Sequence, residues 1–369
     1  MRLYRTGLAA AAVAALALTI TACSSSSSGG SSNPPSSETS SQSAQCATGT
    51  LSADGSSAQA NAMTAWVTAY QKACSGATVN YTSTNSGQGV SDFVAGKIGF
   101  GGSDAALDPK KGEPAAATAA CGSTALDLPM VVGPIAIAYN VSGVGDLTLT
   151  PDVLAKIFLG KITSWNDSQI TAINSGTTLP SIAIKVFFRG DPSGTSKNFE
   201  NYLSKTAGSV FTYTPDKPWP GKTGSGVQGS PAVASAVKST AGAIGYMEWS
   251  YAGSAALKVA KIDNGGGAVT LNGQSAGTTV GTAKIVGAGD DLSLSIDYAT
   301  KTPGAYPIVL VTYELVCTKY KSATQGAQVK SFLTYTSSQA AQNLLPSQGY
   351  APLPASILSK VQAVLAKIA

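Results

Sequence analysis

The 369-residue sequence contains no histidine. Histidine is the most frequent general base and a common metal ligand in proteins, so its absence excludes Ser-His-Asp catalysis and histidine-bound zinc. Charged residues make up only 12% of the chain, and although the net charge is +5, no segment is rich in lysine or arginine. Because nucleic-acid-binding proteins usually carry such a basic segment, we expect no nucleic-acid role.

The apolar run at residues 7–20 is too short for an ordinary membrane span. It follows Arg2 and Arg5 and ends at small residues, which is typical of a secretory signal peptide. The segment Ile20-Thr21-Ala22-Cys23 resembles the lipobox of bacterial lipoproteins. By that resemblance Cys23 would be the lipidated N-terminus of the mature protein. The alternative is an ordinary secretory signal that is cut nearby.

Residues 24–45 are nearly all Ser, Gly, Pro, Thr and Gln. Such a segment has too few apolar groups to offset the entropy of ordering it, so we interpret it as a tether. The predicted organisation is a signal peptide at 1–22, a lipidated cysteine with its tether at 23–45, and a globular body beyond. The protein would therefore be exported and held at the outer face of the cell membrane.

Cysteine is scarce, at five residues, and no two of them form a C-x-x-C pair. Beyond the predicted lipidation site the cysteines are Cys46, Cys74, Cys121 and Cys317. An even number in an exported chain predicts two disulfides, for which three pairings are possible. We favour Cys46 with Cys74, because one begins the first predicted strand and the other lies just before the second. Cys121 then remains for Cys317.

A polar loop, Arg189-Gly190-Asp191-Pro192-Ser193-Gly194-Thr195-Ser196, lies between a predicted strand at 182–188 and a predicted helix. Free amides and the macrodipole at a helix N-terminus favour a bound oxyanion. The guanidinium of Arg189 is a planar fork that matches phosphate or carboxylate. The loop therefore predicts an oxyanion site. The alternative is a capped turn in which Arg189 and Asp191 pair on the surface.

Two further loops rich in small residues, Gly55-Ser56-Ser57-Ala58 and residues 84–89, also lie at predicted helix starts. A third segment places Asp104 after a short apolar stretch. An ionised carboxylate only accepts hydrogen bonds, so it repels a bound oxyanion unless that anion carries a proton. Phosphate carries one near neutral pH and sulfate does not. Asp104 would thus exclude sulfate; otherwise it is an ordinary cap or turn residue.

Four ordered motifs resemble those of the phosphate-binding proteins of bacterial phosphate ABC importers. They are Phe100-Gly101-Gly102-Ser103-Asp104-Ala105, residues 157–167, Arg189-Gly190-Asp191-Pro192-Ser193-Gly194-Thr195-Ser196 and Gly242-Ala243-Ile244-Gly245-Tyr246-Met247-Glu248. The resemblance covers most of the chain after the tether. The lipobox and the serine-rich tether are similar to those of actinobacterial members.

The resemblance implies a set of phosphate-contacting residues: Ser57, Ala58, Ser86, Asp104, Arg189, Ser193, Gly194 and Thr195. It also implies that Asp191 is the acid that pairs with the arginine. The first loop departs from the family, since many relatives have Gly-Ala-Thr-Phe where this chain has Gly55-Ser56-Ser57-Ala58. An aromatic cover over the ligand would therefore be missing.

Strands that alternate with helices predict an α/β fold with mixed sheets flanked by helices. The resemblance implies the two-lobed periplasmic-binding-protein fold of class II. Lobe one would comprise residues 46–131 and 306–369, and lobe two residues 132–305. From the sequence we expect residues 223–229 to form a flexible glycine loop and residues 265–295 to form hairpins or extended loops.

The resemblance implies a non-enzymatic receptor that closes around inorganic phosphate, in a hydrogen-bearing form, and delivers it to the permease of an ABC importer. We expect a monomer that needs no metal or cofactor. The alternatives are a receptor for sulfate or molybdate, a metal-assisted phosphatase that uses Asp104 and Asp191, and a structural lipoprotein.

Overall fold

The computed structural model describes residues 46–369. The predicted signal peptide, the lipidated Cys23 and the tether lie outside the described residues. None of the helices described here combines the length and the apolar composition that crossing a bilayer requires.

The described residues form fourteen strands. They are β1 (Gly49–Gly55), β2 (Ala77–Ser83), β3 (Phe100–Ser103), β4 (Ala125–Asn140), β5 (Thr148–Leu149), β6 (Lys185–Arg189), β7 (Ser225–Val227), β8 (Ala243–Glu248), β9 (Lys258–Val259), β10 (Lys261–Asp263), β11 (Ala268–Val269), β12 (Lys284–Ile285), β13 (Leu294–Ser295) and β14 (Val309–Cys317).

The same residues form twelve α-helices. They are α1 (Ala60–Ala73), α2 (Ser86–Val94), α3 (Glu113–Cys121), α4 (Pro151–Phe158), α5 (Ser168–Ala172), α6 (Gly194–Thr206), α7 (Gly229–Ser239), α8 (Trp249–Ser254), α9 (Gly273–Gly281), α10 (Ala323–Thr336), α11 (Gln339–Gln342) and α12 (Ala355–Lys367). Short 3₁₀ turns at Ser57–Gln59, Pro109–Lys111 and Pro346–Gln348 complete the helical structure.

The main sheet has the strand order β2-β1-β3-β14-β4-β8-β6-β7, with β9 paired to β4. Strand β1 runs parallel to β2 and β3, and β6 runs parallel to β7 and β8. Strand β14 is antiparallel to β3 and β4. The sheet is therefore mixed. Two small sheets, β11-β10-β5 and β12-β13, lie beside it.

The long strand β4 joins two halves of this sheet. Its residues as far as Pro134 pair with β14, and from Ile135 onward it pairs with β8. We call β2, β1, β3 and β14 the first half, and β8, β6 and β7 the second half. Strand β4 is buried along nearly its whole length, which explains its almost continuous apolar sequence.

The helices bury the faces that their apolar spacing predicts. Helix α1 buries Met63, Trp66 and Tyr70 beside the first half of the sheet. In the second half, Phe199 of α6 stacks on Trp219, with ring centroids 5.8 Å apart. Ring pairs of this kind contribute about 0.5–1.5 kcal/mol beyond their area burial. Packing thus fixes α6, whose first turn reaches the predicted site.

Both favoured disulfides are present, with Cα–Cα distances of 5.4 Å for Cys46–Cys74 and 5.5 Å for Cys121–Cys317. The prediction for residues 223–229 was wrong, because they contain strand β7, which completes the sheet edge beside β6. Residues 265–295 include an antiparallel pair, β12 with β13, as the hairpin prediction expected, but they also contain helix α9, which was not predicted. Asn272 caps α9 through a capping box with Ser275, a local signal that outweighs the many small residues.

Candidate oxyanion site

The predicted site loops converge through the starts of helices. Ser57 opens a 3₁₀ turn that runs into α1, Ser86 opens α2 and Gly194 opens α6. A fourth helix, α7, starts at Gly229 and joins them, although the sequence predicted a flexible loop as far as that residue. Because partial positive charge is concentrated at the start of a helix, the four together favour an anion.

Arg189 ends strand β6 and is only 1% exposed. Its Nε donates to Asp191 Oδ1 at 2.7 Å, and its Nη2 donates to Asp191 Oδ2. The Nη1 atom donates to Thr195 Oγ1 and to Ser230 Oγ, both at 3.4 Å. Different partners thus hold two edges of the planar guanidinium. The alternative of a surface pair is excluded by the burial of both residues.

Asp191 is 7% exposed and also accepts a hydrogen bond from the amide of Gly229 at 3.1 Å. Burial pushes the pKa of Asp191 upward, but the hydrogen bond and charge of Arg189 outweigh it and hold the pKa below its ordinary value. The carboxylate therefore stays ionised and fixes the orientation of the arginine. This is the pairing role that the family resemblance implied.

Asp104 follows β3 and is 1% exposed. Its Oδ1 accepts from Thr312 Oγ1 at 3.0 Å. Its Oδ2 accepts from Thr195 Oγ1 at 3.1 Å and from Ser86 Oγ at 3.3 Å. Three hydroxyls from three elements therefore converge on one carboxyl group. Since Thr195 also accepts from Arg189, a single hydroxyl links the acidic and basic sides of the site.

Burial is the largest influence on the pKa of Asp104, and it raises that pKa. The surrounding hydroxyls, that of Ser56 first, and the charge of Arg189 oppose this effect only in part. A buried carboxylate beside an arginine can accept a hydrogen bond from a ligand oxygen that carries a proton, and it repels a ligand oxygen that carries none. The geometry thus fits the discriminating role predicted for Asp104.

The first turn of α6 is built by its cap. Ser193 Oγ accepts from the amides of Thr195 at 3.1 Å and Ser196 at 3.4 Å, which is the usual N-cap arrangement. A Cβ atom at Gly194 would lie 2.7 Å from Asp104 Cβ and 2.8 Å from Ser86 Oγ. Gly194 therefore permits the close approach of α6 to the Asp104 segment, and no larger residue fits.

The first loop brings Ser57 and Ala58 to the same place. Ser57 Oγ accepts from the amide of Ser230 at 3.3 Å, and the amide of Ala58 donates to Ser56 Oγ at 3.0 Å. All eight residues of the predicted ligand set therefore lie in one cluster in which they contact one another or share partners. Their contact with a ligand stays a prediction.

Three polar residues of the cluster escaped prediction from the sequence. Ser230 follows directly on the segment predicted to be a flexible loop, although Pro231 in the first turn of a helix is a recognised start signal. Thr312 lies where the β14–β4 register shifts, and the only clue was a proline in β4. Asn198 Nδ2 donates to the backbone oxygen of Asp104 at 2.6 Å, and nothing in the sequence marked it.

Three ion pairs outside this cluster link residues 108–113 to residues 197–217. Lys217 Nζ lies 3.2 Å from Glu113 Oε1, Lys197 Nζ lies 2.8 Å from Asp108 Oδ2, and Lys111 Nζ lies 2.5 Å from Asp216 Oδ1. We call them the mouth pairs. The pairs Lys197–Asp108 and Lys111–Asp216 border a crevice of about 660 Å³ that reaches the buried Asp104.

Among the described residues, no three acidic or cysteine side chains are grouped so as to hold a metal ion. Asp104 and Asp191, which the phosphatase alternative would use as ligands, instead accept hydrogen bonds from hydroxyls and from Arg189 respectively. The arrangement is suited to holding an anion in place.

The family model for the PBP superfamily domain matches residues 40–340. The chain is 42% identical over 373 residues to the phosphate-binding protein PstS3 of Mycobacterium bovis, covering 100% of both chains. It is 45% identical over 324 residues to PstS 3 of Mycobacterium leprae, covering 87% of each. A phosphate-binding protein PstS from Xylella fastidiosa is 33% identical over 79% of this chain and 78% of its own.

Solved structures share the fold. A periplasmic phosphate-binding protein, PfluDING, bound with phosphate matches with a TM-score of 0.70 at 20% identity, over 85% of this chain and 93% of its own. A phosphate ABC transporter substrate-binding protein from Clostridium perfringens matches with a TM-score of 0.60 at 18% identity, over 83% of this chain and 100% of its own. These matches confirm the predicted fold class, the two-lobed periplasmic-binding-protein fold.

The relatives extend over nearly the whole chain and carry the name of a binding protein, not of an enzyme. The sequence motifs, the fold and the buried oxyanion site agree with these matches. The chain belongs to the PstS family of phosphate-binding proteins, within the PBP superfamily.

Proposed function

We propose that this protein is an extracellular receptor that binds inorganic phosphate and delivers it to the permease of a phosphate ABC importer. The observation that carries the proposal is the link Arg189–Thr195–Asp104, in which a buried cation and a buried acid share one hydroxyl. A ligand at this place meets hydrogen-bond donors on one side and a carboxylate acceptor on the other. Monobasic and dibasic phosphate satisfy both requirements, because they have anionic oxygens and still carry a proton.

The proposed ligands are those named from the family motifs: Ser57, Ala58, Ser86, Asp104, Arg189, Ser193, Gly194 and Thr195. Because Ser193 Oγ already caps α6, we propose that Ser193 contributes its position in the loop more than its hydroxyl. Ser230 joins the set, since its hydroxyl and its amide both face members of the cluster.

We further propose that lobe one comprises residues 46–131 and 306–369, and lobe two residues 132–305. The change of partner along β4, from β14 up to Pro134 to β8 from Ile135, supports a hinge close to the first boundary. Ser57, Ser86 and Asp104 then lie in lobe one, and Arg189 and Thr195 in lobe two. Phosphate would favour the closed form, because only closure brings both groups of side chains together.

The membrane location also belongs to the proposal. The lipobox-like segment ending at Cys23 supports a lipid anchor, and the tether supports a receptor free to reach its permease. Replacement of Cys23 by alanine should shift the protein from the membrane fraction to the soluble fraction. Retention of the Cys23→Ala protein on membranes would contradict the anchor.

Calorimetric titration tests the ligand. The Cys23→Ala protein, dialysed free of phosphate, is titrated separately with phosphate, sulfate and molybdate. One-to-one binding of phosphate without a response to the other anions is expected. Preferential binding of sulfate or molybdate would support the other-oxyanion alternative. If none of the three anions binds, the receptor proposal is wrong. An assay of phosphate-ester hydrolysis with added divalent metals would then test the phosphatase alternative.

A further inference from the structure

Three tyrosine hydroxyls donate to the carbonyl oxygens of three consecutive residues in the first site loop. The pairs are Tyr81 with Ser56 at 2.8 Å, Tyr251 with Ser57 at 2.9 Å, and Tyr350 with Ala58 at 2.7 Å. Carbonyl groups in an exposed loop normally bond to water. Here each one has a fixed protein donor, so every peptide plane of the loop is held at a defined angle.

A carbonyl oxygen and the next amide belong to one rigid peptide plane. A hydrogen bond to the oxygen therefore orients the amide N–H of the following residue, and in a site of low dielectric constant it also strengthens that amide as a donor. The bond from Tyr251 to the oxygen of Ser57 acts in this way on the amide of Ala58. In this structure that amide donates to Ser56 Oγ at 3.0 Å. Because it is also one of the donors assigned to phosphate, a role for Tyr251 in phosphate binding rests on the proposed function, with phosphate taking the place of that hydroxyl as acceptor.

Tyr251 differs from the other two tyrosines in its place in the fold. Tyr81 lies in β2 and Tyr350 follows α11, both in lobe one, as does the loop itself. Tyr251 lies in α8, which follows β8 in lobe two. Its hydroxyl therefore reaches the loop across the boundary between the lobes. Burial raises the pKa of Tyr251, which keeps the hydroxyl protonated and able to donate.

A second contact reaches the same residue from lobe two, because the amide of Ser230 donates to Ser57 Oγ at 3.3 Å. The side chain and the backbone oxygen of Ser57 are thus both held from the opposite lobe. Ser230 also accepts from Arg189, so its contact is tied to the arginine. The contact of Tyr251 does not involve Arg189, Thr195 or Asp104, and it therefore gives the first loop a separate connection to the opposite lobe.

We infer that Tyr251 is a positioning residue for phosphate: on closure of the lobes its hydroxyl binds the carbonyl oxygen of Ser57 and fixes the amide of Ala58 for the ligand. The hydroxyl does not touch phosphate. It acts only in the closed form, so it slows the release of phosphate and leaves the first encounter unchanged.

The variant Tyr251→Phe removes one oxygen atom and keeps the ring. Loss of one such hydrogen bond should weaken phosphate binding about tenfold, and the loss should lie in a faster dissociation rate with little change in the association rate. Calorimetry and stopped-flow kinetics measure these quantities. The control is Tyr139→Phe, because Tyr139 also donates to a backbone carbonyl, that of Gly145, away from the site.

A general loss of stability is distinguished by urea unfolding without phosphate, in which both variants should lose similar free energy. If the wild-type protein binds phosphate and Tyr251→Phe keeps the wild-type Kd and dissociation rate, the positioning role of Tyr251 is wrong while the proposed function stands. Equal weakening by Tyr139→Phe would also overturn it. If wild type does not bind phosphate, the proposed function fails, and the positioning role of Tyr251 fails with it.

Discussion

Charged groups interact in two different ways, in the buried site and at the mouth pairs. In the interior, Arg189 and Asp104 are each 1% exposed and are joined through Thr195. At the mouth, Lys111 and Asp216 pair directly, but their side chains are 42% and 40% exposed. Water screens the mouth pair, so it contributes little energy. The interior charges are costly to bury and are held in a defined geometry, which gives specificity.

Intermediate between these extremes is the mouth pair of Lys217 and Glu113, whose side chains are 5% and 15% exposed. Burial lowers the pKa of Lys217, and the charge of Glu113 offsets that effect only in part. The comparison therefore predicts a graded series. Effects of substitution on phosphate binding should fall from the interior to the exposed mouth, in the order of burial.

The largest effect should follow Arg189→Met. The variant removes the main cation of the site and leaves Asp191 buried without its partner, which typically costs about 3–5 kcal/mol of stability. Phosphate binding should fall below detection in calorimetry. Arg189→Lys is the matched control, because it keeps the charge but loses the two-pronged contact with Asp191, and it should retain weak binding. If Arg189→Met binds phosphate with the wild-type Kd, the proposed location of the phosphate site is wrong.

Asp104→Asn should change selectivity more than folding. The amide is nearly the same size but carries no charge and can donate, so sulfate should bind where wild type rejects it. Acidification should mimic the variant. Since the pKa of Asp104 is raised, its carboxylate is protonated at a higher pH than an ordinary aspartate, and sulfate binding to wild type should rise as pH falls through that pKa.

Calorimetric titration with sulfate over a series of pH values measures this crossover, and Asp104→Asn supplies the control that should show no such dependence. An unchanged preference for phosphate over sulfate in the variant would exclude Asp104 as the discriminating residue.

The sequence was informative about the interior and nearly silent about the mouth. Arg189, Asp191 and the α6 start stand in one continuous loop, so short-range helix-start and charge arguments place them together. A role for Asp104 could be predicted from its chemistry, because a carboxylate repels an oxyanion that carries no proton. The Cys46–Cys74 disulfide followed from where its cysteines lie relative to predicted strands, and Cys121–Cys317 followed by elimination.

What escaped prediction depends on tertiary placement. Thr312 reaches Asp104 because β14 lies between β3 and β4 and shifts register there, which no local pattern encodes. The mouth pair of Lys217 and Glu113 joins residues 104 positions apart. Isolated lysines and acids on polar segments look like ordinary surface residues, and only the folded chain shows which of them meet.

A moderate effect is expected from Lys217→Met. The apolar side chain can fill the space of the lysine stem, but it removes the cation beside the half-buried carboxylate of Glu113, which keeps the amide of Asp108 as a donor. Phosphate affinity should fall roughly three- to tenfold, mainly through faster dissociation, because under the proposed lobe division this pair forms on closure. The double variant with Glu113→Gln should recover part of the loss. Failure to recover would show that the lysine acts through packing and not through its charge.

The smallest effect is expected from Lys111→Ala, which breaks the most exposed mouth pair. Exposed ion pairs typically contribute about 0.2–1 kcal/mol, so the Kd for phosphate should change by less than about fivefold at low salt. At about 1 M salt the Debye length is near 3 Å, and the variant should match wild type. The Lys217→Met variant should keep most of its defect there, because its pair is shielded from solvent. Titrations of both variants at low and high salt therefore separate a screened surface pair from a buried one. An equal response to salt would mean that burial does not rank the contacts across this cleft.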